Sequence, residues 1–303
     1  MMKQKVTLCE VGPRDGLQNH PRQFSISERI EMIDRLSMAG LPRIEAVSFV
    51  NDAKVPGMSG AESVLKGIAR LEGAEFSGLV LNRRGAERAL NCELDEIRLV
   101  VVASDTFSQR NQGATLAQML SVAGEVATMV AGCGRRFAAV IATAFGCPFE
   151  GRVDPAQVAA IAGELRAAGA AEIVLADTIG AATPFEVAAI VPLVAAAAGD
   201  AILGCHFHNT RNMGFANAYV AIEKGVRLLD SSIGGLGGCP FAPRATGNIA
   251  TEDLVYMLGA ERLDQPLDTD RLFAAIDWIE GLVGKEVPGL LRRAGVFPAQ
   301  SAA

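Results

Sequence analysis

The sequence of 303 residues predicts an α/β fold, namely a (β/α)8 TIM barrel with extra C-terminal closing helices. Two observations favour this fold class. First, eight short apolar runs alternate with helical segments across roughly 230 residues, which suits a barrel of this type. Second, the first run is followed by GPRDGLQN at 12–19, with no GxGxxG. Because doubly wound sheets often carry a Gly-rich turn at that point, the barrel is the better interpretation.

The candidate strands are continuous Val/Ile/Leu runs rather than strictly alternating ones. Such runs are expected of parallel strands that helices cover on their outer face. The sequence therefore predicts strands at 6–11, 44–49, 77–81, 97–103, 136–143, 172–177, 201–208 and 227–233.

The helices between these strands have clear start and stop signals. Ser25 and Glu28 have capping-box spacing, and Gly40 follows as a stop. Asp154 precedes Pro155, a pair typical of an N-cap and a first helical position. The alternation of strand and helix thus extends along most of the chain.

Thr183 and Glu186 repeat the capping-box spacing for a later helix. Residues after about 250 indicate closing helices, at about 251–295, rather than an independent domain. With no linker or low-complexity segment in view, we expect a barrel at about 5–250 and a single catalytic domain over 1–303.

Composition excludes several classes of function. Half of the residues are hydrophobic, the net charge is −6, and no dense Lys/Arg tract occurs, so neither nucleic acid nor a membrane surface is an expected partner. The most apolar stretch, 187–204, is interrupted by Pro192 and Gly199 and is too short to span a bilayer. The six cysteines have no paired spacing, which predicts reduced thiols and a cytoplasmic location.

Polar residues converge on one end of the predicted barrel. In this fold the chemistry lies at the C-terminal ends of the strands, so ionisable residues there are the candidates for a site. They are Glu10, Arg14, Asp15, Glu45, Asp177, His206, His208, Cys239, Arg244 and, as an amide beside them, Asn248.

His206 and His208 are the core of this prediction. Residues i and i+2 of a strand point the same way, so both rings face the barrel interior or its mouth. Together with a carboxylate from Asp15 and an amide oxygen from Asn248 they favour a metal site over two core histidines. A mixed N/O set with room for water suits Mg²⁺ or Mn²⁺, one divalent cation per chain.

Arg14 is either a surface cation of its Pro/Gly loop or a fixed positive charge for a developing oxyanion. Glu45 and Asp177 are costly to bury alone, so each could hold Arg14, handle protons or form a structural ion pair. Cys239 lies in GGLGGCP, whose glycines would let the loop close over a site. A thiol there could act as a general acid or nucleophile.

Seven spaced motifs resemble the 3-hydroxy-3-methylglutaryl-CoA lyase family. That family belongs to the TIM-barrel metallolyases with a pyruvate carboxyltransferase-like domain, which also include the isopropylmalate synthases. The motifs occur in collinear order. They are VGPRDGLQN (11–19), IEAVSFV (44–50), GCPFEG (146–151), LADTIGAATP (175–184), CHFHNT (205–210), GGLGGCPFA (234–242) and GNIATEDLVYML (247–258).

The resemblance implies cleavage of 3-hydroxy-3-methylglutaryl-CoA, an acyl-CoA thioester, into acetyl-CoA and acetoacetate, a reaction of leucine degradation. It implies that Arg14 stabilises the thioester enolate, that Arg14 and Gln18 bind the substrate, and that Cys239 is the catalytic thiol. It also implies that Glu45 and Asp177 are needed for activity. The implied cation ligands are Asp15, His206, His208 and Asn248.

The general base stays open between His206, Asp177 and a bound water. The chain departs from the better-known lyases at Asn209 and Arg211, at 243–244 and at 20–21, all near the site entrance. The alternative substrate is therefore a related branched thioester such as citramalyl-CoA. A condensing enzyme and a non-catalytic barrel scaffold are the remaining hypotheses, and a homo-oligomer is compatible with all of them.

Overall fold

The computed structural model describes residues 5–238 and 247–297. Within these ranges eight parallel strands close into a barrel in chain order. The strands are β1 (Thr7–Glu10), β2 (Arg43–Ser48), β3 (Glu75–Val80), β4 (Glu96–Val102), β5 (Arg136–Ala142), β6 (Glu172–Asp177), β7 (Ile202–Phe207) and β8 (Leu228–Ser231). Since β1 pairs with both β2 and β8, the described sheet has no free edge. The predicted fold class is confirmed.

The predicted strand positions agree with these bounds to within two residues, and the two-residue differences lie at the start of β3 and at the end of β8. The run 227–233 predicts a longer strand, but the strand ends at Ser231. Ser232 instead forms a bridge with Ala250, and a short 3₁₀ turn begins at Ile233. This early end turns the chain back over the C-terminal mouth of the barrel.

Helices surround the barrel. Those in the described ranges are α1 (Ile26–Met38), α2 (Ala61–Gly67), α3 (Arg83–Leu90), α4 (Asp105–Gln112), α5 (Leu116–Ala131), α6 (Pro155–Ala168), α7 (Pro184–Ala198), α8 (Gly214–Glu223), α9 (Thr251–Leu258), α10 (Thr269–Val283) and α11 (Leu291–Ala294). The predicted capping box of α1 is present, because the Glu28 amide donates to Ser25 Oγ at 3.2 Å and the Ser25 amide to Glu28 Oε2 at 2.9 Å.

The closing helices lie against the start of the chain. The guanidinium of Arg35 in α1 lies 5.2 Å from the ring centroid of Trp278 in α10. The Val6 amide donates to Arg262 O at 2.8 Å, which joins the segment before β1 to the segment between α9 and α10. These contacts support the expected role of the residues after 250 as a closing layer on the barrel.

Ion pairs fill the N-terminal end of the barrel. Arg43 Nη1 lies 2.7 Å from Glu172 Oε1, and Arg136 Nη2 lies 2.6 Å from Glu75 Oε2. Arg136 Nε also donates to Glu96 Oε2 at 3.4 Å. Every carboxylate of this cluster has a guanidinium partner, which fits the structural role of this end in TIM barrels.

Among the described helices, no single one is both long and apolar enough for a bilayer crossing. The pair α4 and α5 passes that test of length and composition only when combined across a 62° bend.

Candidate metal centre and active site

The first turn after β1 brings two charged side chains to the mouth of the barrel. Residues Gly12–Gly16 form a π-helical turn in which the amides of Arg14, Asp15 and Gly16 donate to Val11 O at 3.1, 2.7 and 3.2 Å. Single π turns of this kind are frequent at functional sites. Both Arg14 and Asp15 line the cavity at the C-terminal end of the strands.

Asp15, His206 and His208 come together as a group that could hold a metal ion. One potential ligand atom from each lies within 4.8 Å of the others. Asp15 Oδ2 is 3.9 Å from His206 Nε2 and 3.7 Å from His208 Nε2. Both histidines are buried. Their ring centroids are 5.1 Å apart, so the two rings lie side by side at the end of β7.

Asn248 completes this group. Its backbone forms a bridge with that of His208, and its Nδ2 donates to Asp15 Oδ2 and to Leu236 O, each at 2.9 Å. Both ring nitrogens of His208 and the Oδ1 of Asn248 are buried without a hydrogen-bond partner in the described ranges. Buried polar atoms seldom lack partners, so these orphaned atoms fit a bound cation. Their chemistry suits Mg²⁺ or Mn²⁺.

The neighbouring charges favour the protonation states in which these side chains can bind a metal. Burial alone would raise the pKa of Asp15, but the Arg14 guanidinium and both histidines hold it well below its ordinary value. His206 Nδ1 shares a hydrogen bond of 3.3 Å with Asp230 Oδ2. Such a carboxylate partner orients the ring and leaves Nε2 for a metal.

Arg14 is fixed by carboxylates on both sides. Its Nε donates to Glu45 Oε1, and its Nη1 donates to Asp15 Oδ1 at 2.6 Å. Glu45 is fully buried in β2. The sequence left open whether Glu45 or Asp177 holds Arg14, and the structure gives this contact to Glu45.

Asp177 has a different set of contacts at the end of β6. It accepts hydrogen bonds from the Ala181 amide at 2.7 Å and from the Ala182 amide at 3.1 Å, and thereby shapes the loop before α7. Burial raises the pKa of this carboxyl. Among the described residues its hydrogen bonds come from backbone N–H groups and not from Arg14. A role for Asp177 in ion pairing or proton handling therefore stays a prediction.

Cys239 and Arg244 lie outside the described residues. The two described ends of the segment that carries them meet at the site. A Cβ on Gly247 would collide with the backbone of Gly235 and Gly237, so only glycine fits where the ends touch. Gly238, together with the predicted substrate-binding residue Gln18, lines the same cavity as Arg14. The described residues on both sides of the segment that carries the predicted thiol therefore lie at the site.

The cavity has a volume of about 340 Å³. Across the barrel from β1 and β8, its lining is mainly apolar and includes Leu79, Val100 and Val140. Polar side chains at its rim, which the sequence did not single out, are Asn51, Lys54, Asn82, Asn111 and Gln112. The cavity thus offers cations and candidate metal ligands on one side and an apolar wall on the other.

Sequence reasoning also missed Arg98 and Asp230. Arg98 lies inside the apolar run of β4 and is fully buried. Its guanidinium donates to Asp230 at 3.1 Å. Burial would raise the pKa of Asp230, but Arg98 and His206 lower it to about 2. Side chains of a strand alternate between its two faces, and this alternation turns Asp230 of β8 toward the interior beside β7. That alternation was the one signal in the sequence that could have indicated Asp230.

Fold and site together define a class: a (β/α)8 barrel enzyme with a candidate divalent-metal centre beside a fixed arginine. A family model described as HMGL-like matches residues 5–279. The chain therefore belongs to the HMGL-like family. The predicted family, that of the hydroxymethylglutaryl-CoA lyases, is confirmed.

Named relatives cover nearly the whole chain. It is 42% identical to the (R)-citramalyl-CoA lyase of Chloroflexus aurantiacus, over 97% of this chain and 96% of that protein. It is 38% identical to a hydroxymethylglutaryl-CoA lyase of Bacillus subtilis, over 94% of this chain and 95% of that protein. The predicted enzyme class, a carbon–carbon lyase, is confirmed.

A solved structure is similarly close. An HMG-CoA lyase from Acinetobacter baumannii, in complex with coenzyme A and 3-methylmalate, superposes with a TM-score of 0.92 at 38% identity. The match covers 99% of this chain and 98% of that one.

Proposed function

We propose that this protein cleaves the C2–C3 bond of a branched 3-hydroxyacyl-CoA with the help of one divalent cation. The leading substrate is 3-hydroxy-3-methylglutaryl-CoA, which gives acetyl-CoA and acetoacetate. The observation that carries the proposal is the buried group of Asp15, His206 and His208, with orphaned ring nitrogens, beside the fixed guanidinium of Arg14. The lyase relatives support it.

Asp15, His206, His208 and Asn248 would hold Mg²⁺ or Mn²⁺. When bound, the cation supplies Lewis acidity, which lowers the pKa of a hydroxyl group that reaches it. The nitrogen and oxygen donors of these residues support this pair of metals.

Arg14 is the group we assign to the developing enolate. As the C2–C3 bond breaks, the 3-hydroxyl loses its proton and its oxygen becomes the ketone of acetoacetate. The bonding pair moves to C2 and into the thioester carbonyl, so negative charge develops on the thioester oxygen. A preorganised guanidinium at that oxygen stabilises the transition state more than the substrate. Glu45 keeps Arg14 in position for this task.

Two proton transfers complete the reaction. We assign to Cys239 the donation of a proton to C2 of the enolate, which releases acetyl-CoA. For the base, a bound water, Asp177 and His206 stay the candidates. His206 uses Nδ1 for Asp230, while its Nε2 faces Asp15. The carboxylate of Asp177 already accepts two backbone N–H groups.

A second candidate substrate is (R)-citramalyl-CoA, which the same bond cleavage would convert into acetyl-CoA and pyruvate. The relative with 42% identity is named for that substrate. The non-catalytic scaffold is less favoured, because the orphaned polar atoms and the fixed Arg14 form a site suited to chemistry. The condensing enzyme is less favoured, because the named relatives are lyases.

One assay tests the proposal and separates the two substrates. The purified full chain with Mn²⁺ is given hydroxymethylglutaryl-CoA or (R)-citramalyl-CoA, and acetyl-CoA release is measured. We expect release from hydroxymethylglutaryl-CoA with the higher kcat/KM, and a higher kcat/KM for (R)-citramalyl-CoA would favour the second candidate. Release from neither, by protein shown to bind Mn²⁺, would refute the lyase proposal.

The role of Cys239 has its own test. We expect Cys239→Ser to bind Mn²⁺ normally and to turn over about 100-fold more slowly or worse, because a positioned proton donor is lost. Cys133→Ser is the matched control, since Cys133 is an exposed thiol outside the cavity lining. Parent-like turnover of Cys239→Ser would exclude the proton-donor role.

We also propose that the chain works as a single catalytic domain in the cytoplasm, in leucine degradation, without nucleic-acid or membrane partners. The net charge of −6 and the unpaired cysteine spacing support this assignment. A homo-oligomer is compatible with it.

A further inference from the structure

Arg98 is a fully buried arginine in the middle of the barrel interior. Its guanidinium contacts three carboxylates from three different strands. Nε donates to Glu96 Oε1 at 2.9 Å, Nη1 to Glu45 Oε2 at 3.0 Å, and Nη1 and Nη2 to Asp230 at 3.1 Å.

Two of these carboxylates directly contact the candidate active site. Glu45 uses its other oxygen, Oε1, to accept from Arg14. Asp230 Oδ2 lies 3.3 Å from His206 Nδ1. Arg98 is therefore one residue away from the cation assigned to the enolate and one residue away from a candidate metal ligand.

Stability alone is a poor reason for this arrangement. Burying ions costs desolvation energy, and apolar side chains of similar volume often stabilise a core equally well or better. A guanidinium, however, is a rigid planar fork that can bind two carboxylates at a fixed angle, which an ammonium group cannot do. Without Arg98, Glu45 and Asp230 would be two buried anions with no shared cation between them.

We propose that Arg98 is a positioning residue that holds Glu45 and Asp230 in a fixed mutual arrangement, and thereby sets Arg14 and His206 relative to each other. The metal ligand and the enolate cation then form one mechanically coupled unit. This inference rests on the proposed function, in particular on the metal centre, and it extends it to a residue that contacts neither substrate nor metal.

Mn²⁺ affinity, measured by electron paramagnetic resonance on the full chain, tests this role without any assumption about substrate. We expect Arg98→Met to raise the Kd for Mn²⁺ by about 10- to 100-fold, the range for losing an outer partner of a metal ligand. Arg43→Met is the matched control. Arg43 is a half-buried arginine of the same barrel that contacts Glu172, Glu75 and, at 3.7 Å, Glu96, but neither Glu45 nor Asp230. The Kd of Arg43→Met should therefore stay within twofold of the parent.

A double-variant cycle identifies the route of the effect. If Arg98 acts through Asp230, Arg98→Met combined with Asp230→Asn should raise the Kd about as much as the more severe single change. A product of the two single effects would contradict that route. At saturating Mn²⁺, Arg98→Met should still lower kcat, because Arg14 loses its second support through Glu45.

Arg98→Lys keeps a buried positive charge and covers the case in which Arg98→Met does not fold. We expect it to weaken Mn²⁺ binding by roughly tenfold, since one ammonium group cannot replace the fork. A folded Arg98→Met, or failing that Arg98→Lys, with parent-like Kd overturns the inference. If the parent binds no Mn²⁺, the metal centre itself fails and the inference with it, a result distinct from a parent that binds Mn²⁺ but cleaves neither thioester.

Discussion

The two ends of the barrel carry the same types of charged side chain in different states. At the N-terminal end, Arg43 and Arg136 lie against Glu172 and Glu75 at 2.6–2.7 Å, and each charge meets its opposite. At the C-terminal end, His208 has no hydrogen-bond partner on either ring nitrogen among the described residues. Glu172 and His208 are both buried, whereas Arg43, Arg136 and Glu75 are half-buried.

This difference shows that residue type does not distinguish a structural cluster from a site. The presence or absence of hydrogen-bond partners distinguishes them, because a buried polar atom without a partner destabilises the protein unless a ligand satisfies it. Four substitutions test this contrast. Two are at the C-terminal end with the candidate site (His208 and Arg14), and one is at the N-terminal, structural end (Arg43). The fourth is at Glu252, a buried carboxylate near the C-terminal end.

The largest effect is expected at His208. His208→Ala removes a candidate ligand whose ring nitrogens have no hydrogen-bond partner among the residues the structure describes, so we expect Mn²⁺ retention and activity to be lost. The loss of affinity should exceed the roughly 100-fold that outer partners produce. His20→Ala is the control, because His20 is the remaining histidine and lies outside the candidate metal group. Equal Mn²⁺ content of the two variants after dialysis would argue against the site.

Arg14→Lys should come next in severity. The charge remains, but the ammonium group cannot contact Glu45 and meet the developing enolate together. We expect kcat to fall by about 10²- to 10³-fold, as for the loss of an oxyanion contact, while Mn²⁺ still binds. Steady-state kinetics at saturating Mn²⁺ give the comparison. An effect on KM alone would mean that Arg14 binds substrate without stabilising the transition state.

At the structural end, Arg43→Met should affect stability and spare catalysis. It leaves Glu172 buried with a weaker partner, because Arg136 lies 3.5 Å away. Breaking a buried pair costs about 3 kcal/mol at the lower end of its range, which urea unfolding would detect. We expect kcat within twofold of the parent. A large drop in kcat with unchanged stability would reverse the roles of the two ends.

The smallest effect concerns Glu252. Burial raises its pKa from 4.5 to about 8, and its Oε1 has no partner in the described part of the chain. Since the folded pKa lies above the unfolded one, this group stabilises the fold below about pH 4.5 and that contribution is lost as pH rises through about 8. The Tm of Glu252→Gln should therefore gain a few degrees on the parent between pH 5 and pH 8. Parallel Tm curves for the two proteins would show that the carboxyl does not titrate in this window.

The sequence was sufficient to predict the barrel, because parallel strands buried on both faces leave long apolar runs. It also placed Asp15, His206, His208 and Asn248 near one another, since in this fold strand ends meet at one mouth. The spacing of residues along a strand and their position at its end depend only on the nearby sequence, so both can be predicted from the sequence.

The ion-pair partners inside the barrel could not be predicted from the sequence. Arg98 stands in an apolar run, and nothing near it in the chain indicates that Asp230, 132 residues away, is its partner. Asp177 shows the converse. Its position at a strand end predicts an ion pair or a proton role, yet its carboxylate binds the amides four and five residues on. Which partner a buried charge finds depends on register across strands, and that is settled only by tertiary packing.

The contact between Gly237 and Gly247 has a consequence for engineering. The segment between them leaves and rejoins the barrel at one point, and Asn248 anchors that point through Leu236 O. For a loop whose ends are already joined, doubling its length costs only about 0.6 kcal/mol in closure entropy. Any graft that replaces 239–246 therefore has to keep Gly247, because a side chain there would collide with the backbone of Gly235 and Gly237 and would displace the neighbouring Asn248.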